Sequence, residues 1–179
     1  KRGFSTPALL EQFQVGAVLE GYYAGHIIIP LTLGGHWWGW VGRDFTGSPP
    51  VRRDGEAHKY EYPKGCPRGE YLWNYEALQV ETDVPVLVVE GAIDAAPKHW
   101  PDAVPVLGKP SRLHRRMFAE AKRPVAFALD RDAFDEAEGY AMELTLEGVR
   151  AGAVLLPHRR DPDSLDAEWL RAAARRCLP

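Results

Sequence analysis

The sequence predicts an α/β fold in which a parallel sheet flanked by helices follows a small α+β N-terminal lobe. From Val86 onwards, short apolar runs alternate with helical patterns, and this alternation is typical of βαβ units with helices on both faces of the sheet. Before that point the chain is rich in glycine and aromatic residues, and the Gly34-Gly35 pair predicts a hairpin turn. We therefore expect two domains, residues 1–82 and 83–179. A chain of 179 residues is long enough for one sizeable domain or two small ones.

The first part is predicted to hold a short helix and a β-hairpin. Thr6 is suited to cap a helix over 7–13, because a proline follows it at the first helical position. The apolar run over 26–33 predicts a strand, and the glycine pair returns the chain into a partner strand over 36–42. The Gly- and Pro-containing segment 47–55 predicts a polar loop.

Three tryptophans in the second hairpin strand admit two interpretations. Strand alternation would place Trp38 and Trp40 on one face and Trp37 on the other. Side chains of this size usually fill a core. Exposed indole rings could instead stack on the bases of a single-stranded nucleic acid, and both interpretations stay open at this point.

The second part is predicted to alternate four strands with four helices. Its apolar runs are short and valine-rich, which is typical of strands buried on both faces of a parallel sheet. Ser111 and Asp166 are suited to cap two of the helices, and Gly152 is suited to end a third. In chain order, the predicted elements are strand 86–90, helix 92–99, strand 104–107, helix 111–122, strand 125–129, helix 133–150, strand 153–156 and helix 166–177.

Composition excludes several classes of protein. The net charge of −3 argues against a uniformly basic surface. No apolar run is long enough to span a bilayer and no signal-peptide pattern is present, so we expect no membrane association and a cytoplasmic location. Cys66 and Cys177 are the only cysteines, which excludes a disulfide scaffold or a zinc ribbon within this chain.

Charge is nevertheless unevenly distributed in the second part. Residues 109–123 contain six lysines and arginines against a single acid, Glu120, whereas residues 130–147 contain seven acids against Arg131. A basic cluster favours phosphate binding, although a solvated helix face would explain the same residues. His114, within the basic helix, is expected at the surface.

Two of the apolar runs end abruptly in carboxylates. Glu90 follows one predicted strand, and Asp130 and Asp132 follow another. Ligands bind outside the carboxyl ends of parallel strands, so adjacent strands would bring these acids to one edge. Close carboxylates raise one another's pKa unless a cation neutralises them, and Mg²⁺ is held by a few carboxylates plus substrate phosphates. The pattern predicts metal-assisted chemistry on a phosphate; helix capping is the alternative for each acid alone.

These acids resemble the motifs of the Toprim domain of bacterial-type primases, topoisomerases and some nucleases. Its Glu-Gly and Asp-x-Asp marks are present as Glu90-Gly91 and Asp130-Arg131-Asp132, and Asp161-Pro162-Asp163 resembles the Asp-Pro-Asp element of primases. The resemblance implies a Mg²⁺ or Mn²⁺ site made of six acids: the catalytic Glu90, Asp130 and Asp132, together with Asp94, Asp161 and Asp163.

The first part is similar to the N-terminal lobe of DnaG-type primase catalytic cores. That family places an Arg at the end of the hairpin and a Lys before a Tyr in the next segment, which match Arg43 and Lys59. The resemblance implies that both line a groove facing the acids and contact template and nucleotide phosphates. Two further elements carry Arg68 where the family has Lys, and Lys109 where it has Thr. Both are implied to bind nucleotide or nucleic acid as well.

Together the motifs resemble the catalytic core, the RNA polymerase domain with Toprim fold, of a bacterial or phage DnaG-type DNA primase. Such a core makes short RNA primers on single-stranded DNA from ribonucleoside triphosphates, and a replicative helicase is a further expected partner. The family's zinc-binding and helicase-related parts are absent from the sequence, so we expect a core cut from a longer primase or a minimal phage version. A Toprim nuclease and a non-catalytic nucleic-acid-binding module remain alternatives, whereas a topoisomerase is disfavoured because no strand-cleaving tyrosine domain is present.

Overall fold

The computed structural model describes residues 6–49, 51, 55–96 and 98–179, which form two compact units dividing between Pro67 and Arg68. The sequence-based boundary lies at 82, after a segment that the structure places in the second unit. The reason is packing: Leu72 and Leu78 belong to the second unit's core, and the Asn74 amide donates hydrogen bonds to the carbonyls of Pro101 and Ala103 at 2.7 and 2.8 Å.

The first unit combines one short helix with a four-stranded antiparallel sheet. Helix α1 spans Pro7–Gln12, and its start is capped by Thr6, whose hydroxyl accepts a hydrogen bond from the Leu9 N–H at 3.4 Å. The strands are β1 (Gly16–Val18), β2 (His26–Leu33), β3 (His36–Asp44) and β4 (Tyr60–Glu61), in the order β1-β2-β3-β4. The predicted hairpin is present, and its second strand continues two residues beyond position 42, to Asp44. Part of the predicted 47–55 loop lies outside the described residues.

A β-bulge in the hairpin changes the setting of the three tryptophans. Leu31 lies opposite Gly39 and Thr32 opposite Trp37, so Trp38 is the extra residue of the bulged strand. Trp37 is 66% exposed and its indole N–H donates to the Gln14 side chain at 3.2 Å, whereas the other two indoles are half-buried. The bulge interrupts the alternation on which the sequence interpretation rested, and none of the three rings is fully buried.

The second unit is built on a four-stranded parallel sheet, as the sequence predicts. Its strands are β5 (Val86–Val89), β6 (Ala103–Pro105), β7 (Val125–Phe127) and β8 (Ala151–Ala153), in the order β6-β5-β7-β8. Strands β5 and β7 are neighbours, with Val88 opposite Phe127. The carboxyl ends of the two strands that precede the acids are therefore adjacent.

Four helices cover the two faces of this sheet: α2 (Ala92–Ala95), α3 (Arg112–Ala119), α4 (Phe134–Leu146) and α5 (Ala167–Arg176). Alternate residues of β5 point to opposite faces. Val86 and Val88 pack in a cluster that contains residues of α3 and α4. Leu87 and Val89 pack in a second cluster with residues of α2 and α5. Within the described residues, no helix has the length and apolar character needed to cross a bilayer.

The last strand lies at Ala151–Ala153 rather than at 153–156, and two predicted helix ends are wrong for identifiable reasons. Helix α2 stops at Ala95 rather than at 99, because Ala96 is extended (φ −112°, ψ 146°) and the residue before a proline avoids the helical region. Helix α4 ends at Leu146 and Gly148 takes the left-handed conformation (φ 90°), so Gly152 does not end it. Gly152 lies within β8, where a Cβ atom would collide with the carbonyl of Cys177.

His114 is also not a surface residue. It is 1% exposed, and its Nε2 bonds to the carbonyl oxygen of Tyr71 at 3.0 Å. Burial lowers the pKa of His114, so that the neutral ring, with Nε2–H as the donor, suits the bond to Tyr71. The residue helps to hold the segment before Leu72 against helix α3.

Candidate active site

The carboxyl ends of β5 and β7 bring three of the predicted acids together. Glu90 follows β5 and Asp130 follows β7, and the backbone N–H of Asp130 donates to Glu90 Oε1 at 3.2 Å. Both residues are half-buried, and Asp132 is exposed. All three line one cavity of about 190 Å³, together with Lys109 and Glu136.

The titration of Glu90 is affected by its burial and by the charges around it. Burial raises the pKa of Glu90, and the charges of Asp130 and Asp132 raise it further. The N–H of Asp130 and the charge of Lys109 oppose the rise. A cation in this cavity would relieve the repulsion among the carboxylates, since an opposite charge nearby favours the ionised form.

Asp94 links this group to the acids of the Asp-Pro-Asp segment. It lies in the first turn of α2, where its Oδ2 accepts a hydrogen bond from the Gly91 N–H at 3.1 Å. Burial raises its pKa from 3.8 to about 7, with added contributions from the charges of Asp163, Asp130 and Asp161. The carboxyl therefore caps its own helix and also feels the field of the other acids.

The Asp-Pro-Asp segment is anchored by two residues that the sequence analysis did not single out. Pro162–Ser164 form a short 3₁₀ turn, and the Lys98 ammonium donates to the carbonyl of Asp163 at 2.9 Å and also to that of Leu165. The buried His99 ring bonds to the carbonyl of Pro162 through Nε2 at 3.0 Å, and burial lowers its pKa. The sequence gives no indication that Lys98 and His99 anchor this segment, because only tertiary packing brings them against residues 162–165.

The four basic residues predicted to bind nucleotide or nucleic acid lie in different surroundings. Arg43 and Lys59 belong to the first unit: Arg43 is 7% exposed with its guanidinium 4.4 Å from the Tyr60 ring centre, whereas Lys59 is exposed. Arg68 Nη1 donates to the carbonyl of Leu107 at 3.4 Å. Lys109 lines the acid cavity but its ammonium pairs with Glu136 at 2.6 Å, so only part of its charge faces the other acids.

A second cavity, of about 470 Å³, shares Asp130 and Asp132 with the first. The rest of its lining is Arg131 and the run His158-Arg159-Arg160-Asp161. The sequence analysis did not assign the three basic residues of this run. Their signal was a basic triplet placed directly before the Asp-Pro-Asp element.

The acids suit a hard divalent cation in their chemistry, although they do not form a ready-made cage. In the described part of the chain, no three His, Cys, Asp or Glu side chains converge closely enough to hold a metal ion by themselves. Carboxylate oxygens are the ligands that Mg²⁺ and Mn²⁺ prefer, and Mg²⁺ commonly relies on water and substrate phosphates for its remaining positions. Burial is the largest cause of the raised pKa values of Glu90 and Asp94, and the charges of neighbouring acids add to it. A cation would offset this second contribution.

Mn²⁺ should therefore bind weakly here, with a dissociation constant on the order of 10⁻⁴–10⁻³ M, as expected for few protein ligands and no phosphate. Anomalous diffraction from a Mn²⁺-soaked crystal should show a peak in contact with Glu90, Asp130 or Asp132. In a solution titration followed by electron paramagnetic resonance, Asp132→Asn should weaken binding and Glu147→Gln, at an exposed acid beyond α4, should not. Absence of the peak, or equal affinities of the two variants, would contradict the site.

No protein-family model and no curated protein sequence matches the chain. Solved structures do match, and the matches include the following three primase structures. The structure of the DnaG catalytic core matches with a TM-score of 0.72 and 20% identity over 97% of this chain and 69% of that one. The DnaG primase catalytic domain bound to single-stranded DNA matches with a TM-score of 0.66 and 22% identity, over 99% and 62%. The zinc-binding and RNA polymerase domains of the Aquifex aeolicus primase match with a TM-score of 0.66 and 21% identity, over 98% and 48%.

The likeness covers both units, whose described elements include an antiparallel sheet in the first and a parallel sheet in the second. The chain spans about half to two-thirds of the length of these structures. At such identities the likeness concerns the fold, and it agrees with the order of elements found here. This chain therefore has the fold of the catalytic core of DnaG-type DNA primases.

Proposed function

We propose that the chain is a DNA primase catalytic core, which joins ribonucleotides into short RNA primers on a single-stranded DNA template. The observation that carries the proposal is the cavity at the ends of β5 and β7, where Glu90, Asp130 and Asp132 meet within a DnaG-type core fold. This arrangement has the features expected of a Toprim site. The first unit also has the fold found in DnaG catalytic cores. A stand-alone Toprim nuclease would not need such a unit, so its presence favours a primase.

The chemistry follows from the acids and their surroundings. Mg²⁺ or Mn²⁺ held by Glu90, Asp130 and Asp132, with Asp94, Asp161 and Asp163 nearby, would lower the pKa of the attacking 3′-hydroxyl and neutralise the triphosphate. The Asp130 N–H fixes one oxygen of Glu90 before any ligand arrives, so less ordering is left for the moment of reaction. Lys109 contributes positive charge at the same cavity.

A primer-synthesis assay tests this proposal against its alternatives. The complete chain is incubated with Mg²⁺ or Mn²⁺, a single-stranded template and labelled ribonucleoside triphosphates. Template-dependent RNA products of increasing length are the expected result. Shortening of labelled DNA without RNA synthesis would indicate a nuclease, since the same acids could activate water. Binding without either reaction would indicate a non-catalytic nucleic-acid-binding module.

We further propose single-stranded template DNA as the partner of the first unit, and a replicative helicase as a partner of the longer protein of which such cores form part. Two matching structures contain DNA, namely the catalytic domain bound to single-stranded DNA and the Mycobacterium tuberculosis RNA polymerase domain with an overhanging duplex. In this chain, the buried Nη1 of Arg43 has no hydrogen-bond partner among the described residues. A phosphate oxygen would satisfy it once the side chains that cover this atom move aside, because a buried guanidinium donor without a partner is costly.

Lys59→Ala should weaken binding of single-stranded DNA and reduce the log–log dependence of affinity on salt by about one unit, since each phosphate contact releases about one counterion. The loss should be the same for templates of different sequence, because phosphate contacts carry no base information. Fluorescence-anisotropy titrations at several salt concentrations measure both quantities. The matched control is Lys64→Ala, at another exposed lysine of the same unit. Equal slopes for the two variants would show that Lys59 does not contact the nucleic acid.

A further inference from the structure

The cavity of about 470 Å³ beside Asp130 and Asp132 carries both signs of charge. Its acids are Asp130, Asp132 and Asp161, and the loop over 158–160 supplies His158, Arg159 and Arg160. We infer that this loop binds the non-bridging oxygens of a metal-bound di- or triphosphate. The inference rests on the proposed function, whose nucleotide substrate and leaving group belong to that chemical class, and it assigns these phosphates to residues of the second unit.

The cations that line this cavity, Arg131 and those of the loop, are not equally available to a ligand. Arg131 Nη1 donates to the carbonyl of Leu156 at 2.5 Å, which ties the turn after Asp130 to the segment after β8. Arg160 Nη2 donates to the carbonyl of Ser164 at 3.1 Å, and its N–H donates to Pro157 at 3.2 Å. Each of these two guanidinium groups thus uses one donor to hold the backbone around the cavity.

Arg159 has a different role. It is exposed, it lines the cavity, and it makes no ion pair with any acid in the described part of the chain. Its backbone is left-handed, with φ 58°, a conformation that costs a non-glycine residue free energy and that glycine or asparagine adopts more easily. A large cationic side chain is therefore present at a position where the backbone by itself favours a small residue. Binding an anion is a use of the side chain that would explain its presence there.

The mixture of charges decides the class of ligand. A bare cation would be favoured by Asp130, Asp132 and Asp161 but repelled by the loop, and a bare anion would meet the opposite problem. A polyphosphate that carries Mg²⁺ presents a cation to the carboxylates and free oxygens to the guanidinium groups, which bind phosphate through paired N–H donors. The cavity is wide and open to solvent, so a hydrated, metal-bound polyphosphate has room to enter it.

The test is calorimetric titration of the complete chain with magnesium tripolyphosphate and with magnesium pyrophosphate, neither of which contains a base or a sugar. Arg159→Asn should weaken binding of both by roughly tenfold or more, as expected for the loss of a charge-assisted contact. Asparagine tolerates the left-handed backbone, so the fold should be kept, and thermal unfolding checks this. Arg159→Lys retains the charge and should keep part of the affinity. Arg175→Asn, at an exposed arginine in the last turn of α5, is the control and should bind as the wild type does.

Three results would overturn the inference: no binding by the wild type, equal binding by Arg159→Asn and Arg175→Asn, or undiminished binding of tripolyphosphate when Mg²⁺ is chelated. Primer synthesis is measured separately on the same preparations. Metal-dependent binding that is lost in Arg159→Asn, from a chain that makes no primers, would support the phosphate site and refute the primase proposal. Primer synthesis with an unchanged KM for nucleotide in Arg159→Asn would support the primase proposal and refute the phosphate site.

Discussion

Replacing Asp130 by alanine should reduce nucleotide transfer by at least 10²–10³-fold, the loss seen when a group that stabilises transition-state charge is removed, while the free energy of unfolding stays equal or rises. Asp130 lies at the edge of the parallel sheet beside Glu90, and its charge raises the pKa of both Glu90 and Asp94. Removing it relieves repulsion in the folded state. The hydrogen bond to Glu90 comes from the backbone N–H of residue 130 and survives the substitution.

Labelled primer synthesis and urea unfolding of the same variant measure the two effects. Glu138→Ala, which removes an exposed acid from helix α4, is the control and should leave both quantities near the wild-type values. Loss of stability together with activity would favour a capping role for Asp130, although its side chain makes no capping hydrogen bond to the turn that follows. Wild-type activity of Asp130→Ala would refute the proposed mechanism.

Replacing Asp94 by asparagine should stabilise the protein at alkaline pH and remove part of the pH dependence of its stability. The pKa of this carboxyl is about 7 in the folded chain, against an ordinary value of 3.8. Between about pH 4 and pH 7 the folded state therefore holds a proton that the unfolded state has lost, so stability falls as pH rises through this window. Below it the contribution is fully present, and above it the penalty is constant.

Above pH 7 the variant should exceed the wild type by about 2–4 kcal/mol, and at pH 4 the two should be nearly equal. The asparagine oxygen can still accept the hydrogen bond from the Gly91 N–H, so the start of helix α2 is kept. Urea unfolding from pH 4 to pH 9 in the presence of a chelator measures the difference, and Glu138→Gln serves as the surface-acid control. A constant difference between variant and wild type across this range would show that Asp94 titrates normally in the folded chain.

The acids at the strand ends show how far local pattern alone can lead. Val86–Val89 and Val125–Phe127 are short and apolar throughout, which favours buried strands of a sheet covered on both faces. Parallel strands place their carboxyl ends at the same edge of the sheet. Because β5 and β7 are neighbours, Glu90 and Asp130 lie close together at that edge. The pattern of apolar residues therefore predicted both the fold class and the edge of the sheet at which the acids lie.

Helix and strand boundaries depended on residues whose effect the pattern misjudged. Gly148 and Gly152 both follow a helical segment, and either could have ended it. Only the packing of Cys177 against β8 shows that Gly152 is required for close approach and that Gly148 supplies the left-handed turn. The burial of His114 could not be predicted from the local pattern either. The ring is buried where the distant residue Tyr71 packs against helix α3, and it bonds to the carbonyl of Tyr71.

By itself, then, the sequence determined the α/β class, the hairpin and the meeting of Glu90 with Asp130, because these follow from periodicities of two and 3.6 residues and from the direction of parallel strands. The tertiary structure alone decided which polar groups share a cavity. It brought Arg159 beside Asp132, bound Lys98 to the Asp-Pro-Asp segment, and buried Asp94 deeply enough to raise its pKa. Those relations depend on distances between residues far apart in the chain and on exclusion of water, and neither quantity is written in a local pattern.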